Sequence, residues 1–205
     1  KSDTARAVID GGTVTAGDSV LVQAVNGGAM DGAGGGNEGI LGDIGNLTGS
    51  VAIGGSAGVG ISVSLLKTTA VVEALVTGGA EIVANGTLAM DGVTALTRDV
   101  DDEYREREED FRRGVTVIAD NETVLRSIAV TVAVAGSAAI SLQVPILLVK
   151  DVSSARIEDG ASVVSASDVN VAAANETDIF TFSLVGAASG GASVGADVEV
   201  FSVRK

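Results

Sequence analysis

The sequence predicts an all-β chain of stacked coils, a β-solenoid, and three observations carry that expectation. One pattern is written three times without gaps, over Gly11–Ala24, Gly79–Gly92 and Gly160–Ala173, each copy holding two short alternating strands joined by a small-residue turn. Self-similarity at a long period marks a solenoid or an array of stacked units. The 205 residues are 46% apolar, yet 28 Gly, four Phe, one Tyr and no Trp leave few large side chains for a rounded core. Interiors pack to crystal-like density, so small side chains require layers that lie close together. A single Pro and abundant Val and Thr favour strands over helices.

The repeats divide the chain into three units of one domain, 1–67, 68–150 and 151–205. The last is the barest. It opens with Ser154-Ala155-Arg156-Ile157-Glu158, turns at Asp159-Gly160, and continues through Ser162–Ala166 and Val169–Ala173. After Asn175-Glu176-Thr177 a second half alternates over Ile179–Val185 and Ser193–Val203. Two coils per unit, each of roughly 20 to 30 residues, give about six coils in the chain.

Unit one opens with Thr4–Asp10 and carries an insertion at about 26–45, rich in Gly with Asp31, Glu38 and Asp43, which reads as a surface loop. The Gly-Gly-x-Gly-x-Asp spacing of calcium-binding repeats is missing from it. Its second half, Val51–Leu66, alternates Val, Ile and Leu with Gly, Ala and Ser.

Unit two is interrupted at about 94–114 by the most charged stretch of the chain. Asp101 with Arg105, Glu103 with Arg107, Glu108 with Arg112 and Glu109 with Arg113 are acid-before-base pairs at four-residue spacing. Acids crowd its start, and Arg112, Arg113 and Gly114 close it, in the order a helix dipole and a glycine stop favour. The spacing predicts a short helix or helical hairpin standing off the wall, with Val100, Tyr104 and Phe111 as a thin apolar stripe. The strand Val115–Thr123 then resumes the template by matching Val169–Thr177.

Ser127–Val149 holds no charge and is long enough to cross a membrane as a helix. Ile128, Val130, Val132 and Val134 alternate with Ala and Thr at period two, however, and Gln143 and Pro145 interrupt the run. Buried strands are therefore expected, with no membrane span.

Composition removes several functions. There is no Cys, so disulfides and thiolate chemistry are excluded, and no His, the commonest general base and transition-metal ligand. A formal charge of −14 opposes nucleic acid and anionic membranes, which need a basic face. No Ser, Thr or Asp falls in a nucleophile-elbow or phosphate-loop pattern, and sugar-binding aromatic residues are scarce. The chain is expected to be no enzyme, with no catalytic residues and no cofactor. Asp18, Asp120, Asp159 and Asp168 fall at coil turns, where Asp suits the backbone; calcium is the weaker reading, since no compact loop spaces its ligands. Thr13 and Thr15 form one rung of an ice-binding ladder that Glu81, Val83, Ser162 and Val164 break.

Two kinds of contact remain. Val203-Arg204-Lys205 reads like Leu65-Leu66-Lys67 and Leu148-Val149-Lys150, each just ahead of a fresh unit. The chain is thus expected to continue its own period, as a segment of a longer array or a subunit stacking head to tail on itself. Ala7, Val8 and Ile9 would form one assembly end and Val198, Val200 and Val203 the other, both uncapped. The charged insertion supplies the candidate partner contacts Tyr104, Arg105, Arg107 and Phe111. Asn46, Asn85, Asn121 and Asn175 begin Asn-x-Ser/Thr sequons and are candidate glycosylation sites.

The phrase Ala-x-Ile-x-x-Gly-Ala-x-Val-x-Ala-x-x-x-Val-x-Val-x-Ala at Ala155–Ala173, followed by a Gly/Ala-rich alternating half ending near Lys, resembles the repeats of leukotoxin-like and filamentous-haemagglutinin-like bacterial surface adhesins. The resemblance covers nearly all of the chain outside the two insertions. It implies a right-handed parallel β-helix, a secreted or cell-surface location, a structural or adhesive role with cell-surface glycan as a candidate partner, and no catalytic residues to carry over.

Overall fold

A computed structural model describes residues 2–27, 44–98 and 107–205, with side chains in the middle segment described from Leu47 onward. The greater part of the Gly-rich insertion, and Val100, Tyr104 and Arg105, lie outside the described residues. Within them the chain is all-β and contains no helix. Its strands form three parallel sheets and one two-stranded antiparallel hairpin.

The strands lie in three tiers. The first comprises β1 (Ser2–Asp10), β2 (Thr13–Ala16), β3 (Val20–Asn26), β4 (Ile44–Gly54) and the start of β5 (Ala57–Thr77). The second runs through the end of β5, β6 (Glu81–Ala84), the hairpin β7 (Gly92–Arg98) and β8 (Arg107–Arg113), then β9 (Val115–Ala135) and the start of β10 (Ala138–Ile157). The third continues through the rest of β10, β11 (Ser162–Ser165), β12 (Val169–Ser189), β13 (Ala192–Asp197) and β14 (Val200–Arg204). Parallel pairing joins equivalent strands: Ser2 with Thr69 and Thr69 with Lys150, Thr13 with Glu81 and Glu81 with Ser162, Val20 with Val115 and Val115 with Val169.

Each step from tier to tier is therefore one whole repeat unit. The expectation of about six coils is corrected to three tiers. The physical reason is that the two halves of a unit face each other across the interior instead of stacking, so one unit makes one circuit. The matching of Val115–Thr123 with Val169–Thr177 is the register the strands adopt. The turns differ in length: two residues, Gly11 and Gly12, link β1 to β2, three link β5 to β6 and four link β10 to β11. Gly11, Gly12, Gly78, Gly79 and Gly160 all take positive φ there, a conformation that costs glycine nothing.

Two regions follow from this circuit. In the first, the sheets containing β1, β2 and β3 and their equivalents enclose a core, with Val72, Val76, Ile82, Val115 and Val117 fully buried. In the second, the outer parts of β9 and β10 run out and back as two apposed walls, joined at Gly136-Ser137 and flanked by equivalent strands above and below. At its tip neighbouring tiers stack so closely that a Cβ at Gly136 would lie 2.2 Å from the Gly55 carbonyl oxygen. Gln143 Nε2 donates across the gap to the Ala129 carbonyl at 3.1 Å and also to Ser183 Oγ, and Ser141 Oγ donates to the Gly186 carbonyl at 2.6 Å.

Ser127–Val149 forms β-strands, and no described helix is long and apolar enough to cross a membrane. The expectation of buried strands is corrected for their outer face, although Leu147 and Val149 near the root are buried. Ser127, Ala129, Thr131, Ala133, Ala135, Ala139, Ser141 and Gln143 point inward and are buried, while Val134 and Ile140 stand exposed. The gap between the walls holds mostly small or slender side chains, so most of the branched ones face out.

Candidate functional site

Two features carry polar or assembly chemistry: an arginine cluster where the hairpin meets the tiers, and the open edges of the outer tiers. The cluster begins with the hairpin. β7 and β8 pair antiparallel from Gly92 with Arg113 to Arg98 with Arg107, which corrects the helix expected there wherever the insertion is described. Among the described residues Glu108 with Arg112 and Glu109 with Arg113 do not form ion pairs, while Asp101, Glu103 and Arg105 lie outside the described residues. Arg112 pairs instead with Asp110 at 2.5 Å, two residues away on one face of a strand, and Arg107 takes its acid from the wall.

Neither does the hairpin stand off. Gln23 of β3 donates to the Leu96 carbonyl at 2.7 Å, and Ala95, Thr116 and Ile118 are buried between hairpin and wall. Gly92 makes room for the Phe111 ring, since a Cβ there would come within 2.3 Å of it.

At the open end of the hairpin two guanidinium groups converge on one carboxylate. Arg98 Nε donates to Asp120 Oδ1 at 2.7 Å and its terminal nitrogens to Glu122 at 3.0 Å and to Glu176. Arg107 Nε donates to Asp120 Oδ2, and its terminal nitrogens reach the carbonyls of Asn26, at 2.7 Å, and Gly27. Asp120 is 1% exposed. Both its oxygens are taken by cations, which is the condition under which a buried carboxylate remains tolerable. Burial alone would lower the Arg98 pKa, but hydrogen bonding and charge from Asp120, then Glu122, outweigh it and hold it above the ordinary arginine value.

The cluster ties all three tiers, through Asn26 and Gly27 in the first, Asp120 and Glu122 in the second and Glu176 in the third. Beside it runs an amide ladder. Asn26 Nδ2 donates to Asn121 Oδ1 at 2.7 Å, and Asn121 Nδ2 donates to Asn175 Oδ1 at 2.8 Å.

The candidate contact and modification residues fall differently across this arrangement. Arg107, a candidate partner contact, points inward to Asp120. Phe111 is half-exposed, at 51%. Asn121 is fully buried in the ladder, so its candidacy for glycosylation is corrected: a glycan has no room there. Asn175 accepts within the same ladder. Asn85 lies exposed after β6, donating to the Ala16 carbonyl at 3.3 Å. Asn46 lies in β4, and its side chain is outside the described residues. Among the described residues no three carboxylates converge in a metal-holding group.

Ala7, Val8 and Ile9 lie in the first tier, and Val198, Val200 and Val203 at the opposite end of the stack. Ala7 and Ile9 pack against the core and Val8 faces out. Among the described residues no strand pairs along the outer edges of β1, β2, β3 and β4, nor along those of β11, β12 and β13. The Glu81 amide donates to the Gly12 carbonyl and the Ser162 amide to the Ala80 carbonyl, both at 2.8 Å. By the same alternation the Thr13 and Thr15 amides point off the first tier. Sequence reasoning missed the cluster because its partners are far apart in the chain; the paired asparagines of Asn121-Glu122 and Asn175-Glu176 were its one legible trace.

No family model, curated protein or solved structure matches this chain.

Proposed function

We propose that the chain is a right-handed parallel β-solenoid acting as a structural, non-catalytic subunit or segment of an extracellular or cell-surface filament, assembled by head-to-tail stacking of tiers. The carrying observation is the correspondence of the two open ends. Residues 150–157 of β10 lie in the same column as β1, two tiers away, β11 lies over β2, β12 over β3 and β4, and β13 over the start of β5. A second copy would therefore meet each free strand with a strand of the same column and direction. Open edges of this kind template pairing with another chain unless they are blocked. In the column Ser62–Gln143–Asp197, the following copy would set the Ser62 hydroxyl over the exposed Asp197 carboxylate.

Negative-stain microscopy of the purified chain tests this reading. Filaments with an axial repeat of about 14 Å, three tiers at ~4.8 Å each, are expected. Thr15→Pro removes an outward amide without touching a bond between tiers; it should raise the concentration needed for filaments about tenfold and leave the melting temperature unchanged. A monodisperse monomer by light scattering at high concentration would overturn assembly between chains. A second reading, an adhesion module that binds glycan or a partner cell through its insertions, draws on the exposure of Phe111, Leu88 and Met90 beside the hairpin. Phe111→Ser would then abolish adhesion and leave filaments intact.

A further inference from the structure

The blade is built inside out. Its interior is lined mostly by Gly, Ala, Ser, Thr and Gln, with Val185, Asp197 and Glu199 in the third tier, and the Ser50, Ser64 and Thr131 hydroxyls and the Gln143 carbonyl oxygen lie buried there without hydrogen-bond partners. Its outer faces carry the branched residues: Val51 and Ile53 are 72% and 82% exposed on one wall, Ile61 and Val63 57% and 63% on the other. From Ile128 through Leu148 no outward side chain is charged. On the outer faces charge returns only at the root, with Arg126 and Asp178 on one wall and Lys67 and Lys150 on the other, while in the third tier Asp197 continues the inward column of Gln143 and Glu199 accepts from Thr181 of the facing wall.

We propose that this blade inserts into the hydrocarbon of a lipid bilayer, its strands along the bilayer normal and its root at the headgroups. Outward apolar and inward polar alternation in strands of about ten residues is the pattern of lipid-facing β-structure. From Arg126 to the tip at Gly136, ten residues at ~3.3 Å reach about 30 Å, the thickness of a hydrocarbon core.

Two observations favour lipid over a second copy of the chain. Both broad faces are apolar, whereas one docked copy covers one face. The tips, Gly54-Gly55-Ser56, Gly136-Ser137 and Gly190-Gly191, are uncharged and lack the polar rim that surrounds a protein interface. The inference rests on the stacking reading in one respect: among the described residues the outer edges of β4 and β12 leave backbone groups unpaired, which hydrocarbon does not tolerate, so insertion belongs to the stacked form. The net charge of −14 directs the blade to zwitterionic lipid.

The test uses the full chain with phosphatidylcholine vesicles. It contains no cysteine, so Val132→Cys on the blade and Val164→Cys on the exposed face of β11 each accept a single polarity-sensitive fluorophore. The chain should float with the vesicles, and brominated acyl chains should quench the label at position 132 at least about fivefold more than at position 164. Val132→Asp should reduce flotation at least about tenfold while filaments and melting temperature stay unchanged. Filaments that do not float, or equal quenching at the two positions, would overturn insertion and leave stacking intact. Absence of both filaments and flotation would overturn both. Filaments that bundle side by side without lipid, with the blade label shifted, would show that a second copy covers the faces and would equally overturn the lipid assignment.

Discussion

The three-walled end and the two-walled blade share tiers, register and alternation, but set their large side chains on opposite sides. At the three-walled end Val72, Val76 and Ile82 point in, and the outer face of β1, β5 and β10 carries Arg6 2.9 Å from Glu73 with Arg156 nearby. In the blade Ala133, Ala135 and Ala139 point in and Val134 and Ile140 point out. The distance between walls decides which arrangement forms. Three walls meeting at corners leave a wide interior that branched side chains fill, whereas two apposed walls close until mostly small or slender side chains fit. Period-two alternation locates two faces; it does not say which is inside.

The largest test of this contrast is the clamp, which only the three-walled end possesses. Arg98→Ala leaves Asp120 buried with half its cationic partners and should cost about 3–5 kcal/mol in urea unfolding. Asp120→Asn together with Arg98→Met should recover part of that loss, because no uncompensated charge remains.

Overpacking separates the regions next. Ala133→Leu forces a branched side chain between the blade walls and should cost about 1–3 kcal/mol, although it makes the chain more apolar. Ile82→Val, a deletion in the wide core, should cost about 1 kcal/mol, and Ile53→Val on the outer face of the blade less than about 0.5 kcal/mol in water. Equal losses for the last pair would mean that the blade face is packed as tightly as the core.

The smallest effect is with pH. The Arg98 pKa is raised on folding, so its contribution is fully present below the ordinary arginine value and is lost only as pH climbs through the raised one. Urea midpoints of wild type and Arg98→Met should therefore keep a constant separation between pH 7 and pH 10.

Much of the three-walled end was legible in the residues. The ungapped repeat at Thr13, Glu81 and Ser162 is the pairing the strands adopt, because small-residue turns fix the corners and alternation fixes the faces. The circuit length was not legible, since a half-unit that stacks and one that folds back across the interior share the same alternation. The charged insertion misled for a related reason. Arg107 and Glu103 have helical spacing, but the acid that holds Arg107 is Asp120, across a loop. Local spacing records only the partners a chain offers itself, and here those on the wall are better placed.

The tiers also have a mechanical meaning. Because the hydrogen bonds between tiers run along the stacking direction, a pull along the stack opens neighbouring tiers bond by bond, while a pull along the strands must shear a whole ladder at once. The tiers are unequal in chain length, the second being longest because it carries the hairpin. Axial tension should therefore release them in steps of different size, so that the force record of a single molecule would reveal which tier had opened.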